Sequence, residues 1–192
     1  PAPLCCVMYD RDLATSSTPH VLAGVTVFNL EGTPVRLGEL WGDRGAVLMF
    51  VRHFGCMLCR QQIAEIEPYL DRIRASGAEL LVVGSGSVDE ARAFRDERRL
   101  RMPLVTDPAL HAYRALGMRR GLGAFFTPAA IGQYLRAMRQ GFAQSRVAGD
   151  AMQQGGVVVI APGGSERYRH VSRFAGDHPD PAVILAHCEA PR

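Results

Sequence analysis

Two cysteines three residues apart, Cys56 and Cys59, are the side chains of this sequence best suited to chemistry. They stand in the string Val51-Arg52-His53-Phe54-Gly55-Cys56-Met57-Leu58-Cys59-Arg60, behind the apolar run Ala46 to Val51 and ahead of an apolar stripe Ile63, Ile66, Leu70 and Ile73. The run reads as a buried strand and the stripe as one face of a helix. A thiolate is the species that attacks peroxides and disulfides, and the unpaired amides and dipole at a helix N-terminus stabilise it. Cys56 therefore falls in the first turn as the more exposed sulfur and the nucleophile. Cys59 continues the buried stripe, from where it can close a disulfide onto Cys56. Arg52, His53 and Arg60 bring positive charge, and Arg60, four residues on, is expected on the Cys56 side of the helix to lower its pKa. Two other readings compete: half of a zinc site, or a buried and inert pair. A structural zinc takes four ligands, and no second pair at matching spacing exists, so no metal is expected.

The rest of the composition narrows the function. All 22 basic residues are Arg. Without Lys there is neither a phosphate-binding Walker loop nor a Schiff base, and no cofactor is implied. The net charge is only +3, and cations interleave with acids as in Arg95-Asp96-Glu97-Arg98-Arg99. That pattern is a solvated helix face, so no nucleic-acid partner is expected. No apolar stretch approaches the roughly 18 residues of a membrane span, so no membrane role is expected either. With 192 residues, 47% hydrophobic and 21% charged, the chain suits one globular domain. Residues 1–19 read as a tail and 20–192 as the domain. Five cysteines, with Cys5, Cys6 and Cys188 apart from the pair, make an odd count that argues against a disulfide scaffold. The expected location is the cytoplasm.

Further elements follow from turn and capping signals. Val21 to Leu30 is expected as a strand, paired through Glu31-Gly32 with Thr33 to Leu37, then a short helix to Trp41. Pro68 should kink the stripe helix. Leu80 to Gly84 is the next buried strand, Ser87-Val88-Asp89-Glu90 a capping box, and Met102 to Thr106 a short strand. A short helix from Asp107-Pro108 ends at Gly117. Thr127-Pro128 opens a helix whose apolar face is Ile131, Leu135, Met138 and Phe142. Val157 to Ala161 and Arg167 to Arg173 form a terminal hairpin, and Pro181 to His187 the last helix. Strands alternating with helices imply an α/β sandwich. Gly84-Ser85-Gly86 imitates a dinucleotide loop, but its third glycine would be Asp89.

The segment around the cysteines resembles the peroxiredoxin-like (AhpC/TSA-type) C-x-x-C branch of the thioredoxin superfamily, which includes prostamide/prostaglandin F synthase. The resemblance runs from about Val21 to Leu185, including Gln153-Gln154-Gly155-Gly156 and Gly176-Asp177-His178-Pro179. It implies a thioredoxin-like three-layer α/β/α sandwich with a central mixed sheet. It also implies a thiol-dependent oxidoreductase; the expected catalytic residues are Cys56, Cys59, Arg60 and His53, and the expected substrate contacts are Arg52, Phe54, Phe125, Phe126 and Gln154. The expected substrate is a peroxide, endoperoxide or disulfide, reset by an external thiol such as a thioredoxin-like protein. Peroxiredoxins place Pro seven and Thr or Ser three residues before the reacting Cys, and those positions here are Met49 and His53. A bulkier substrate than hydrogen peroxide is therefore expected. His178 is a candidate acid, although Asp177 capping a loop and a proline starting a helix explain the same residues. Arg119 to Phe126 reads as a lid, a homodimer contact or a loop with its Phe side chains in the core. The alternative function is a non-redox protein of this fold that binds or transforms a small molecule in a specialised biosynthetic pathway.

Overall fold

The computed structural model describes residues 18–121 and 127–190. Its frame is set by two runs buried along their whole length, β3 (Gly45–Phe50) and β4 (Ala78–Gly84). They pair in parallel, Val47 opposite Leu80 and Met49 opposite Val82. Because successive side chains point to opposite faces, an uninterrupted apolar run is buried only when both faces are covered. Val47, Met49 and Val51 enter one core and Ala46, Leu48 and Phe50 the other.

The remaining strands are β1 (Thr26–Phe28), β2 (Pro34–Arg36), β5 (Leu104–Thr106), β6 (Gly156–Ile160) and β7 (Glu166–Val171). Together they form one mixed sheet in the order β2-β1-β5-β4-β3-β6-β7. β5 continues the parallel set, while β1, β2, β6 and β7 join antiparallel. The helices are α1 (Thr18–Ala23), α2 (Met57–Ile66), α3 (Leu70–Ala75), α4 (Val88–Arg98), α5 (His111–Ala115), α6 (Pro128–Arg139) and α7 (Pro181–Glu189). Side chains of α2, α3, α4, α6 and α7 build the first core and those of α1 and α5 the second, which gives the expected three-layer α/β/α sandwich. Pro68 converts Glu67–Tyr69 to a 3₁₀ turn between α2 and α3, since it withholds the backbone donor an α-helix needs. The Ser87 capping box closes with Ser87 N–H donating to Glu90 Oε2 at 2.8 Å.

Two expectations are corrected. Val21 lies in α1, and β1 begins only at Thr26. One turn of helix buries Leu22 against the sheet, which a strand from Val21 would leave to solvent. On α6 the stripe Ile131, Leu135 and Met138 is exposed, whereas Ala130 and Ala137 are buried. Small residues let α6 approach α2 closely, so the helix is rotated away from its larger apolar side chains. The expected 1–19 boundary lies almost wholly outside the described residues, as do Cys5, Cys6, Phe125 and Phe126.

Phe54, two residues before Cys56, is located by backbone at the end of β4. A Cβ on Gly84 would stand 2.1 Å from Cζ of its ring, and one on Gly86 2.8 Å from Cδ2. Gly84→Ala should therefore displace the ring and cost about 1–3 kcal/mol. In a Phe54→Leu background the same substitution should cost clearly less, because the obstructing atoms are gone, and a double-mutant cycle by thermal denaturation measures this coupling.

Candidate active site

After β3 the chain leaves the sheet through a buried loop, Arg52 to Gly55, and turns into α2. Cys56 is the N-cap in extended backbone (φ −72°, ψ 118°), its N–H bonded to His53 O and its carbonyl accepting the first helical bond from Arg60. Cys59 is one turn in, within the first core. Both are free thiols. Contrary to the exposure expected of it, Cys56 is only 1% accessible.

The two sulfurs are strongly differentiated. Cys56 is lowered to about 6, chiefly because the Cys59 thiol donates a hydrogen bond to it. Burial opposes this, while the Arg52 charge and the amides of Cys59 and Leu58 add to it. Cys59 is pushed well above the ordinary thiol range by that same bond, by burial and by the neighbouring Cys56 charge. At neutral pH the pair is a thiolate backed by a thiol. The guanidinium at the thiolate is that of Arg52, whose Nη1 lies 3.9 Å from Cys56 Sγ. Its Nε donates to Gln153 O at 3.3 Å and its Nη2 to Ala151 O at 2.8 Å. Arg52 N–H also donates to Cys59 Sγ at 3.4 Å.

Arg60 points elsewhere, which corrects the role expected for it. Its Nη1 and Nη2 make a two-pronged bond to Glu97 at 2.7 and 2.8 Å, Nη2 also donates to Ser145 Oγ, and Nε donates to Phe54 O. A carboxylate on α4 outcompetes a sulfur for that planar fork. His53 is 3% accessible and lowered to about 4 by burial first and then by Arg52 and Arg60. It is neutral at pH 7, and its Nδ1 is buried without a hydrogen-bond partner among the described residues. Gln154 does not reach the sulfurs: its Oε1 accepts from Arg119 N–H at 3.0 Å. Its neighbour Gln153 supplies the carbonyl for Arg52 and is 2% accessible.

Several contributors were not singled out from the sequence. Ser85 Oγ donates to Arg52 O at 2.7 Å and accepts Asp150 N–H at 2.9 Å. Gln144 and Ser145 bond the Cys56 loop from a distant segment. Nothing in local periodicity marks these residues. His178 meets the Leu58 backbone in the first turn of α2, and burial lowers it to about 4. Asp177 caps its loop through Arg173 N–H, as read from the sequence, but α7 starts at Pro181 behind the Asp180 cap, not at Pro179. Among the described residues no group of three or more His, Cys, Asp or Glu could hold a metal ion.

Residues 65–173 match the AhpC/TSA antioxidant enzyme family, a span that begins just beyond the cysteine pair. The chain belongs to this family. It is 34% identical to the chloroplastic thioredoxin-like protein AAED1 of Arabidopsis thaliana, over 89% of this chain and 73% of that protein. It is 32% identical to the prostamide/prostaglandin F synthase of Salmo salar, over 82% of this chain and 78% of the relative. Among solved structures it resembles peroxidoxin BcpB of Mycobacterium tuberculosis, with a TM-score of 0.62 at 19% identity, covering 88% and 93% of the two chains. That likeness establishes the peroxiredoxin type of thioredoxin-like fold for this AhpC/TSA member.

Alkylation of Cys56 should follow a titration with a midpoint near pH 6, while Cys59 stays unmodified throughout the neutral range. Cys59→Ala should raise that midpoint by roughly 1 unit and Arg52→Gln should raise it less, whereas Arg60→Gln should leave it in place. Peptide mapping by mass spectrometry after timed labelling reads all three.

The buried imidazoles set an acid limit. Folded His53 and His178 bind protons only near pH 4, whereas unfolded histidine binds near 6.5. The unfolded state thus takes up protons first as pH falls, and stability is lost between about 6.5 and 4, by up to about 3 kcal/mol per histidine. The melting temperature should fall across that window, and less steeply in His53→Gln.

Proposed function

We propose that this protein is a thiol-dependent oxidoreductase that reduces a peroxide, endoperoxide or disulfide through Cys56 and Cys59. The observation that carries this reading is the unequal pair itself: a thiolate near Arg52 at a helix start, hydrogen-bonded by a thiol three residues on. A hydroperoxide takes the Cys56 electron pair on one oxygen, the O–O bond breaks, and the departing alkoxide takes up a proton. The resulting Cys56 sulfenic acid is then attacked by Cys59, which forms the disulfide and releases water. With an endoperoxide both oxygens stay on the product: the first leaves as one hydroxyl, and the Cys59 attack on Cys56 sulfur frees the second. An external thiol reduces the disulfide, and no cofactor is needed. The 3.9 Å between Arg52 Nη1 and Cys56 Sγ supports a role for Arg52 in stabilising negative charge as it passes from sulfur to oxygen. His53 and Phe54 are proposed as the walls the substrate meets.

Relatives named prostamide/prostaglandin F synthase support the endoperoxide arm, and an imidazole where peroxiredoxins carry a hydroxyl supports a substrate other than hydrogen peroxide. Mild oxidant should remove two mass units, restored by dithiothreitol and mapped to Cys56 and Cys59. In a panel of substrates, bulky organic hydroperoxides, endoperoxides or small disulfides should exceed hydrogen peroxide in kcat/KM by at least about tenfold, or about 1.4 kcal/mol. Cys56→Ser should abolish turnover. No mass change under oxidant would favour the non-redox alternative.

A further inference from the structure

Cys56 is reactive in its electronics yet closed to solvent at 1% accessibility. The segment bonded to the peptide groups on either side of it is residues 142–150, which joins α6 to the approach of β6 without regular structure. Gln144 clamps both peptide groups that flank Cys56: its Nε2 donates to Gly55 O at 2.8 Å, and its Oε1 accepts Met57 N–H at 3.3 Å. Ser145 N–H donates to Gly55 O at 3.1 Å, and Phe54 N–H donates to Ala148 O at 2.9 Å. The strap lies so close that a Cβ on Gly55 would fall 1.9 Å from Arg146 O. Its outer side faces water, since residues 143–147 are exposed. It is anchored at its ends, by Phe142 beneath Arg98 and by Asp150, which pairs with Arg120 at 2.6 Å. Gly141 and Gly149 adopt positive φ (84° and 113°), backbone that pivots without Cβ cost.

We propose that Gln144 is a positioning residue and residues 143–148 a gate, whose release between the Phe142 and Asp150 anchors admits substrate to Cys56. The gate rests on Cys56 being the reacting thiol. Closed, the carboxamide holds the Cys56 peptide units in register and occupies the Met57 amide. Open, it uncovers the sulfur while α2, which carries both cysteines, stays wound. Access is thereby separated from reactivity: losing the clamp changes which reagents arrive and leaves the Cys56 titration, set by Cys59 and Arg52, in place.

Cys56 labelling is measured by peptide mapping across pH with iodoacetamide and with a bulky fluorescein maleimide. Wild type, Gln144→Ala and Gln144→Glu are compared; the Glu variant keeps the acceptor for Met57 N–H but cannot donate to Gly55 O. The bulky-to-small rate ratio at the high-pH plateau should rise at least about fivefold in Gln144→Ala and by an intermediate amount in Gln144→Glu, with the melting temperature unchanged in both and the midpoint near pH 6 kept in Gln144→Ala. An unchanged ratio, equal acceleration of both reagents, a midpoint shifted in Gln144→Ala, or a ratio that changes only alongside a fall in melting temperature would overturn the gate and leave the nucleophile standing. Absence of Cys56 labelling at every pH in all three proteins would remove the nucleophile, and the gate with it.

Discussion

A sulfur anion held out of water needs compensation from its surroundings, and at Cys56 that compensation organises the neighbouring structure. Removing an ion from water costs several kcal/mol. A guanidinium at 3.9 Å returns about 4 kcal/mol at an effective dielectric near 20, so Arg52 offsets the penalty only while it is held in place. The Gln153 and Ala151 carbonyls hold it, and they reach Arg52 because β6 pairs antiparallel with β3 and brings the chain before Gly156 alongside the Cys56 loop. Gly155 keeps that approach open, since its Cβ would lie 2.5 Å from Phe50 O. The sheet order therefore serves the Cys56 thiolate as directly as the loop that carries it.

The second cation serves a different end. Arg60 ties α2 to α4 through Glu97 and to the strap through Ser145, while lying over Phe94 at 5.7 Å. Phe94 in turn contacts Phe54 with ring centroids 5.3 Å apart. One arginine lowers the energy of the thiolate and the other fixes the walls of its loop. Their chemistry is identical, and only their partners separate them.

That separation marks the limit of what the sequence discloses. The burial of β3 and β4 on both faces, the break at Pro68, the Ser87 cap and Cys56 at a helix start were legible because each follows from residues within a turn or a strand of one another. The direction of Arg60 was not, because it is decided by Glu97 and Ser145, which the fold brings in from elsewhere. The exposed stripe of α6 misled for a related reason: periodicity shows that Ile131, Leu135 and Met138 share a face, but alanines at 130 and 137 decide which face meets α2. Gln144 carried no local signal at all, since its value lies in meeting Gly55 and Met57 across the fold.

In the proposed dithiol cycle, placing both sulfurs in one helical turn also determines what has to move. Two distant thiols can pair only if the chain between them moves. Here Cys59 already hydrogen-bonds Cys56, so the disulfide can form with α2 intact. That contact has two consequences. The donated hydrogen bond makes Cys56 a thiolate near pH 6, and it withholds Cys59, raised well above the usual range, from reacting first. Once Cys56 is oxidised its negative charge is gone, and with it the largest Coulombic and hydrogen-bonding reasons for Cys59 to keep its proton. In the proposed cycle the pair would thus order its own steps, its pKa asymmetry lasting only until the first step has occurred.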